Sequence, residues 1–422
     1  MRGIVVAGTN SGVGKTTVSL CLASALKERG YSVQPFKIGP DFIDPTHYFE
    51  WAVNLDPFMM GEDGVLESFS RWMREKDFAV IEGVMGMYDG YRFTSFSSTA
   101  HVAKILRAPV VLVMDPKGMS LSALAIFEGF KRFDPNVKLI GVIFNRCGDK
   151  LFDKLRRIFG DLALGYLPKL KELEVGRRHL GLILGKEVKR DWKRLAEIAE
   201  EHFDINRIIE LSELDAKNLD IENAKVVKEK RKEFRIGIPF DEAFCFYYRD
   251  NIELLKMFGD VVFFSPLKGE MVDSDFYYIG GGYPELYDLK KFAKFIAKEA
   301  FDGKRIYAEC GGMILLSRSL RIGERRIKMA NVLDIDVYMT DRIQALGYVR
   351  GNVIERNFFL SGKFRGHEFH YSYAIPDDDV RFAFRTDGKG IKDGLDGAMS
   401  YETIAGYTHI HLHSTTIFHD QK

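Results

Sequence analysis

The chain has 422 residues, of which 46% are hydrophobic, and its 61 Lys and Arg against 60 Asp and Glu leave a net charge of +1. This composition is typical of a globular protein of two or three domains and excludes a disordered or fibrous class. A nucleic-acid-binding surface normally carries a basic excess, so the balanced charge argues against a nucleic-acid partner.

The cysteines and the N-terminus indicate the compartment. Cys21, Cys147, Cys245 and Cys310 lie far apart and form no C-x-x-C pair, which argues against a disulfide framework or a zinc finger. The first residues lack the apolar core of a signal peptide, and no apolar run is long enough to span a membrane. We therefore expect a cytoplasmic protein without a membrane partner; whether it forms a homo-oligomer stays open.

The first part of the chain alternates short apolar runs with helical patterns. The strand-like runs are 3–7, 33–38, 79–81, 109–114 and 139–144, and the helix-like segments are 15–29, 65–75, 98–106 and 120–133. Apolar strands separated by helices are typical of a parallel sheet covered on both faces. The pattern continues weakly to about residue 203, and we predict an α/β domain over 1–211.

A polar, charged stretch at 212–233 is the predicted linker. A second α/β block follows over 234–422. Its strand-like runs are 234–239, 261–264, 276–279 and 305–308, and β-rich sequence follows from residue 327.

A glycine-rich loop joins the first strand to the first helix. It reads GTNSGVGKTT from Gly8, with Thr9 where the strict phosphate-loop pattern has glycine. Glycines allow close backbone approach to a phosphate, and a helix N-terminus supplies N–H donors. The residues predicted to bind nucleotide are Gly12, Val13, Gly14, Lys15, Thr16 and Thr17.

Three carboxylates follow neighbouring strands. Glu82 ends the run 79–81, at the place of the acidic residue that holds Mg²⁺ in P-loop proteins, and Thr16 is the loop hydroxyl that reaches the metal. Asp41 and Asp44, in KIGPDFIDP, lie at the same edge of the predicted sheet. They are either part of this site or turn residues beside prolines.

Cys310 stands where a predicted strand turns sharply into a predicted helix, 314–319. A thiol at such a corner is held at the sheet edge with helix N-terminal N–H groups nearby to lower its pKa, as in the nucleophile elbow of hydrolases. Gly311 and Gly281, the latter in a run of three glycines after another strand, are candidates for an oxyanion hole. A buried structural cysteine and a plain loop are the alternatives.

Three histidines, His409, His411 and His413, alternate near the C-terminus. On a strand they would share one face, which suits either a metal site or a base that activates Cys310.

These segments together resemble the cobyrinic acid a,c-diamide synthase family, in chain order and over nearly the whole length. The segments that carry the resemblance are GTNSGVGKTT, KIGPDFIDP, VIEGVMGMYDG, STAHVAK, IGGGYPELY, YAECGGM, MTDRIQALGY, RGHEFHYS and GYTHIHLHS. The resemblance implies a P-loop domain similar to dethiobiotin synthetase, followed by a class I glutamine amidotransferase domain. It implies an enzyme that uses ATP, Mg²⁺ and glutamine to amidate two carboxylates of a corrinoid.

The resemblance also assigns roles to residues. It implies that Asp41, Asp44, Glu82 and Asp89 form the nucleotide, metal and substrate site, and that Cys310 is the glutaminase nucleophile. Class I amidotransferases carry H-P-E at the base, whereas this chain has H-I-H from His409. We favour His409 as the base and keep His411 as its rival. The triad is then either reduced to a dyad, or His411 is the partner of the base.

Two alternatives stay open. A Ni-sirohydrochlorin a,c-diamide synthase of coenzyme F430 biosynthesis shares these motifs and differs in the macrocycle. A P-loop scaffold ATPase with a non-catalytic second domain differs in class, although the additional lysine typical of MinD-like loops is missing from GTNSG.

Overall fold

The computed structural model describes residues 1–170, 190–214 and 234–418. Two compact units divide the chain, Met1–Val226 and Val227–Lys422. Most of the predicted linker, 212–233, lies outside the described residues. Its first residues belong to the first unit, because Ser212 accepts a hydrogen bond from the amide of Gly3 and Leu214 packs into the core.

The first unit is built on a parallel sheet of seven strands. The strands are β1 Arg2–Gly8, β2 Val33–Ile38, β3 Val53–Leu55, β4 Phe78–Glu82, β5 Val110–Met114, β6 Leu139–Asn145 and β7 Ala163–Leu167. They lie in the order β3-β2-β4-β1-β5-β6-β7. Every neighbouring pair is parallel, so all carboxyl ends meet at one edge. Loops at this edge form the ligand sites of open α/β sheets.

Helices cover both faces of this sheet. They are α1 Lys15–Glu28, α2 Pro57–Trp72, α3 Thr99–Ile105, α4 Leu121–Phe133, α5 Asp149–Phe159, α6 Trp192–His202 and α7 Ile205–Leu211. In β1, Ile4 and Val6 belong to one apolar core, whereas Val5 and Ala7 belong to the other. The predicted α/β class, with a parallel sheet buried on both faces, is confirmed.

Helix α2 begins eight residues before the predicted start at residue 65, and the cause is a strong N-cap. The Asp56 carboxylate accepts hydrogen bonds from the amides of Phe58 (2.9 Å) and Met59 (3.4 Å), and Pro57 occupies the first helical position. The helix contains a kink at Gly61, whose φ is 75°. This kink interrupts the apolar periodicity from which a helix is predicted in the sequence.

The second unit contains a ten-stranded sheet that is part parallel and part antiparallel. The helices and strands of the whole second unit are β8 Arg235–Pro239, α8 Arg249–Lys256, β9 Asp260–Phe264, β10 Phe276–Ile279, α9 Lys290–Phe301, β11 Arg305–Glu309, α10 Gly311–Leu316, β12 Ser319–Ile322, β13 Arg325–Lys328, β14 Ile335–Met339, β15 Ala345–Val353, β16 Leu360–Ser361, β17 Lys363–His370, β18 Ser372–Pro376, β19 Arg381–Thr386, β20 Leu395–Ser400, β21 Thr403–Gly406, β22 His409–Ile410 and β23 Thr416–Ile417. The large sheet has the order β22-β17-β15-β19-β20-β21-β11-β10-β8-β9.

Parallel pairing joins β9, β8, β10, β11 and β21, whereas the strands beyond β21 are antiparallel. After β21 the chain crosses to β22, which pairs with β17 at the far end of the order. The amide of Ile410 in β22 nevertheless donates to the side chain of Glu309 in β11. The sheet therefore curves back on itself, and this curvature brings the C-terminal histidine segment to the end of β11.

Within residues 1–170, 190–214 and 234–418, no helix combines the length and apolar character that crossing a bilayer requires.

We predict that Asp56→Ala lowers the free energy of unfolding by about 2 kcal/mol, because two helix amides and the buried Ser97 hydroxyl lose their acceptor. The matched control is Asp56→Asn, which keeps one side-chain oxygen at this position. Urea unfolding followed by far-UV circular dichroism measures both. Equal midpoints for the two variants would contradict the capping role.

Candidate functional site

The phosphate loop lies between β1 and α1, and its backbone is held from a distant strand. Gly12 and Gly14 have positive φ angles of 74° and 103°. Asn145, the last residue of β6, donates from Nδ2 to the carbonyl of Val13 at 2.8 Å, and a Cβ on Gly14 would lie 2.0 Å from the same nitrogen. Position 14 therefore requires glycine. The motif did not reveal Asn145; its only sequence signal was a polar residue at a strand end.

Some side chains of the loop pack beneath its backbone, and others are available to contact a ligand. Val13 is 1% exposed and lies beneath the loop, while Thr16 and Thr17 are half-buried in the first turn of α1. Lys15 is 7% exposed, and its Nζ donates to the carbonyls of Asn10 (3.2 Å) and Met85 (2.5 Å). Burial, together with the charge of Lys37, lowers the pKa of Lys15 to about 8. A phosphate is a stronger partner for this ammonium than two neutral carbonyls.

A buried ammonium lies at the centre of the acidic cluster. Lys37 in β2 is 3% exposed, and its Nζ lies 2.5 Å from Asp44 Oδ2 and 2.8 Å from Glu82 Oε1. Glu82 is fully buried and also accepts hydrogen bonds from Thr16 Oγ1 and the Tyr48 hydroxyl, both at 2.6 Å. Burial raises the pKa of Glu82, and Lys37 opposes this effect. Lys37 was not predicted, because nothing in the sequence of β2 marks it as facing two carboxylates.

Asp41 belongs both to a turn and to the cluster. Its Oδ1 accepts hydrogen bonds from the amides of Ile43 (2.8 Å) and Asp44 (2.9 Å), which is the turn chemistry considered as its alternative role. Burial and the neighbouring Asp44 charge raise the pKa of Asp41 to about 7. Lys37 holds the pKa of Asp44 below its usual value although burial opposes this.

Asp89 lies on the loop after β4, which packs against the phosphate loop. Its Oδ2 accepts a hydrogen bond from the Gly86 amide at 3.0 Å, and Met87 donates to the Gly8 carbonyl at 2.8 Å. A Cβ on Gly86 would lie 3.2 Å from the carbonyl oxygen of Thr9. The charge of Asp89 acts on Lys15, so the fold brings all the predicted synthetase residues to one edge.

In the second unit, Cys310 forms a strained corner between β11 and α10. Its φ of 49° and ψ of −102° are rare for a residue with a side chain, and its amide donates to the carbonyl of Gly406 at 2.7 Å. The predicted helix over 314–319 is wrong in its limits, since α10 starts at Gly311 and Ser319 already begins β12. The helix thus follows directly on Cys310, as in a nucleophile elbow.

His409 is the histidine that lies beside Cys310. It is 1% exposed, and its Nδ1 lies 3.5 Å from Glu309 Oε2. Burial lowers the pKa of His409, but its interactions with the Cys310 thiol and the Glu309 carboxylate outweigh burial and raise it to about 9. Cysteine, imidazole and carboxylate therefore follow one another in contact.

His411 has different surroundings. Strand β22 ends at Ile410, so the predicted strand carrying all three histidines on one face is wrong. The His411 ring packs against Tyr248 and His413, with centroids 5.1 and 5.5 Å away, and burial with the nearby His413 lowers its pKa to about 3. No cluster of three or more His, Cys, Asp or Glu suited to a metal ion occurs in the part of the chain that the structure describes.

The glycine loop after β10 borders Cys310 and His409. Gly312 donates to the Gly280 carbonyl at 3.1 Å, and a Cβ on Gly311 would lie 2.8 Å from the amide nitrogen of Gly282. A Cβ on Gly281 would lie 2.5 Å from Cε1 of His409. Of the two predicted oxyanion glycines, Gly311 thus follows Cys310 directly and Gly281 lies against His409, and at either position a side chain would displace a neighbour.

Comparisons with known proteins agree with this division into two centres. Residues 4–183 match the CobQ/CobB/MinD/ParA nucleotide binding domain, and residues 235–417 match the CobB/CobQ-like glutamine amidotransferase domain. A protein of Listeria innocua named cobyrinate a,c-diamide synthase is 37% identical over 98% of this chain and 97% of its own length. Proteins of the same name from Methanocaldococcus jannaschii (38% identical, 99% of this chain, 98% of that protein) and Methanococcus maripaludis (40%, 97% of each) are also similar.

We predict that Gly281→Ala slows alkylation of Cys310 by iodoacetamide about tenfold at pH 7, because the added methyl group pushes the His409 ring away from the thiol. Peptide mass spectrometry measures the rate at Cys310 separately from the other cysteines. Gly129→Ala is the control, since a Cβ there meets nothing within 4 Å. Equal rates in the two variants would contradict the contact.

Proposed function

Since the chain belongs to the cobyrinate a,c-diamide synthase family, we propose that it uses ATP and glutamine to convert the a and c carboxylates of cobyrinate to amides. The observation that carries the proposal is the strained elbow at Cys310, whose thiol interacts with a buried histidine, His409, that lies 3.5 Å from the Glu309 carboxylate. This is the arrangement of an activated thiol nucleophile. A phosphate loop with buried carboxylates stands in the other unit of the same chain.

The first unit is proposed to activate the substrate. A carboxylate is a poor electrophile, so its oxygen attacks the γ-phosphorus of ATP; the acyl phosphate forms and ADP leaves. Gly12, Val13, Gly14, Lys15, Thr16 and Thr17 are proposed to bind the phosphates. Lys15 and Lys37 neutralise charge on the transferred group, which is the main protein contribution to phosphoryl transfer. Asp44 and Asp89 are proposed to position the substrate.

Mg²⁺ fits the residues present when it is bound together with the nucleotide phosphates, since the His, Cys, Asp and Glu side chains of the described residues form no metal cluster by themselves. Thr16, Glu82 and Asp41 offer only oxygen ligands, which a hard cation prefers. The same cluster already holds one cation, because the Lys37 ammonium lies between Glu82 and Asp44. Bound there, Mg²⁺ would neutralise phosphate charge.

The second unit is proposed to release ammonia from glutamine. The Cys310 thiolate attacks the side-chain amide, His409 gives its proton to the leaving nitrogen, and a thioester forms with release of ammonia. Water then hydrolyses the thioester to glutamate and restores the thiol. Backbone amides at Gly281 and Gly311 are proposed to stabilise the oxyanion. Ammonia attacks the acyl phosphate, so that each amide formed releases one inorganic phosphate.

The substrate is tested by supplying cobyrinate or Ni-sirohydrochlorin with ATP and glutamine and identifying amidated products by mass spectrometry. The proposal expects amidation of cobyrinate. Amidation of Ni-sirohydrochlorin alone would transfer the same chemistry to the other macrocycle. ATP hydrolysis without amidation of either would support the scaffold ATPase.

We predict that Cys310→Ala abolishes glutamine-dependent amidation and leaves ammonia-dependent amidation unchanged, because only the first requires the thiol. Product analysis with each nitrogen source measures the two rates. Cys245→Ala, at a second buried cysteine of the same unit, is the control. Equal loss with both nitrogen sources would contradict the two-centre scheme.

We predict that Asp44→Asn and Asp89→Asn lower ammonia-dependent amidation at least about tenfold and leave glutamine hydrolysis unchanged, because their contacts lie in the first unit only. Asp153→Asn, on the exposed surface of α5, is the control. An unchanged ammonia-dependent rate would remove the residue concerned from the synthetase site.

A further inference from the structure

Glu309, the residue before the nucleophile, is a buried carboxylate with an unusual set of partners. It is 1% exposed. The Tyr278 hydroxyl donates to Oε2 at 2.9 Å, while the Tyr307 hydroxyl (2.9 Å) and the Ile410 amide (3.0 Å) donate to Oε1. Among the described residues, Glu309 also forms an ion pair with His409, whose Nδ1 lies 3.5 Å from Oε2.

Among these partners in the described part of the chain, one group can balance the negative charge of the Glu309 carboxylate. A buried carboxylate without an opposite charge is strongly disfavoured, and tyrosine hydroxyls and a peptide amide are neutral donors. Burial and the Glu309 charge raise the pKa values of Tyr278 and Tyr307 well above the ordinary value, so both keep their protons. The partner that carries a positive charge is therefore the imidazolium of His409.

The same carboxylate fixes the backbone that carries His409. Its Oε1 binds the amide of Ile410, the next residue along the chain. Asn251 holds the other side of the segment, since its Nδ2 donates to the Ile410 carbonyl and its Oδ1 accepts from the Leu412 amide, both at 2.8 Å. Position and orientation of the ring are thus set from β11 and α8.

We propose that Glu309 is the positioning residue that orients His409 toward Cys310 and stabilises its imidazolium, the role that the glutamate of the H-P-E motif has in class I amidotransferases. The inference rests on the proposed glutaminase function. His411 occupies the sequence position of that glutamate, and under this proposal it has no role in orienting His409. Oriented from Nδ1, the imidazole keeps Nε2 for the thiol and the leaving nitrogen, as in a triad.

The other groups that face His409 do not compete for the proton. His367 in β17 stacks on His409 with centroids 5.3 Å apart, and His370 lies in the same strand. Burial first, and the charge of His409 second, lower the pKa of His367; burial likewise dominates in lowering that of His370 to about 4. Both stay neutral at pH 7, whereas His409 is charged.

The first test is the pH dependence of Cys310 alkylation in Glu309→Gln, which keeps the shape and removes the charge. We expect the midpoint of thiol reactivity to rise by about one pH unit, a roughly tenfold slower rate at pH 7, because the thiolate loses its imidazolium partner. Glu299→Gln is the matched control, because Glu299 is also a buried glutamate and accepts a hydrogen bond from the Tyr277 hydroxyl at 2.9 Å. Identical profiles for wild type and Glu309→Gln would overturn the proposal.

The second test is glutamine hydrolysis. In the wild type we expect the alkaline limb near pH 9, where His409 loses its proton, and in Glu309→Gln a limb at lower pH with kcat reduced about 10²-fold or more. Ammonia-dependent amidation should be unchanged. An unshifted limb would overturn the proposal. If the wild type hydrolyses no glutamine, the proposed function fails, and the alkylation profile still decides the role of Glu309.

A third measurement needs no change at Glu309. In Cys310→Ala the ion pair of His409 with Glu309 remains, and ¹⁵N-histidine NMR, assigned with His409→Gln, reports the protonation of this ring. We expect both ring nitrogens to stay protonated above pH 6.5. A neutral His409 ring at pH 6 would overturn the proposal.

Discussion

A charged group removed from water requires an opposite charge against it, and both centres of this protein obey that constraint. In the first unit the Lys37 ammonium lies between Glu82 and Asp44; Lys37 and Glu82 are buried, whereas Asp44 is partly exposed. In the second unit Glu309, His409 and Cys310 are all buried and interact with one another through His409. Removing one member of either set would leave a buried charge without its partner, which is strongly disfavoured. We therefore expect each centre to form as a unit when its strands assemble.

The sheets perform this assembly. Parallel strands end at one edge, and the first unit therefore brings together the ends of β1, β2, β4 and β6 around the phosphate loop. In the second unit the ends of β10 and β11 supply the glycine loop and the elbow, and the curved antiparallel extension returns β22 to them. Glycine is required at positions 14 and 281, where Asn145 and His409 leave no room for a Cβ.

Much of the fold follows from local sequence. The strand and helix pattern of the first unit, the phosphate loop and the turn at Cys310 are each contained in a short segment, and the α/β class follows from their alternation. The start of α2 was missed because the kink at Gly61 obscures the periodicity. The partners within each centre were harder to predict. Lys37, Asn145 and Glu309 act across strands, and their importance depends on sheet order and on which face a strand presents, which no single segment records. The pairing of His409 with Glu309, in place of His411, depends on the end of β22 at Ile410.

The central claim is that the two centres perform linked halves of one reaction, activation of a carboxylate by ATP and transfer of glutamine nitrogen to it. The most direct measurement uses cobyrinate labelled with ¹⁸O in its carboxylates, together with ATP and glutamine, and determines the label in inorganic phosphate by mass spectrometry. The acyl phosphate route predicts one ¹⁸O atom in phosphate for each amide formed. Amide formation that leaves the phosphate unlabelled would contradict the account.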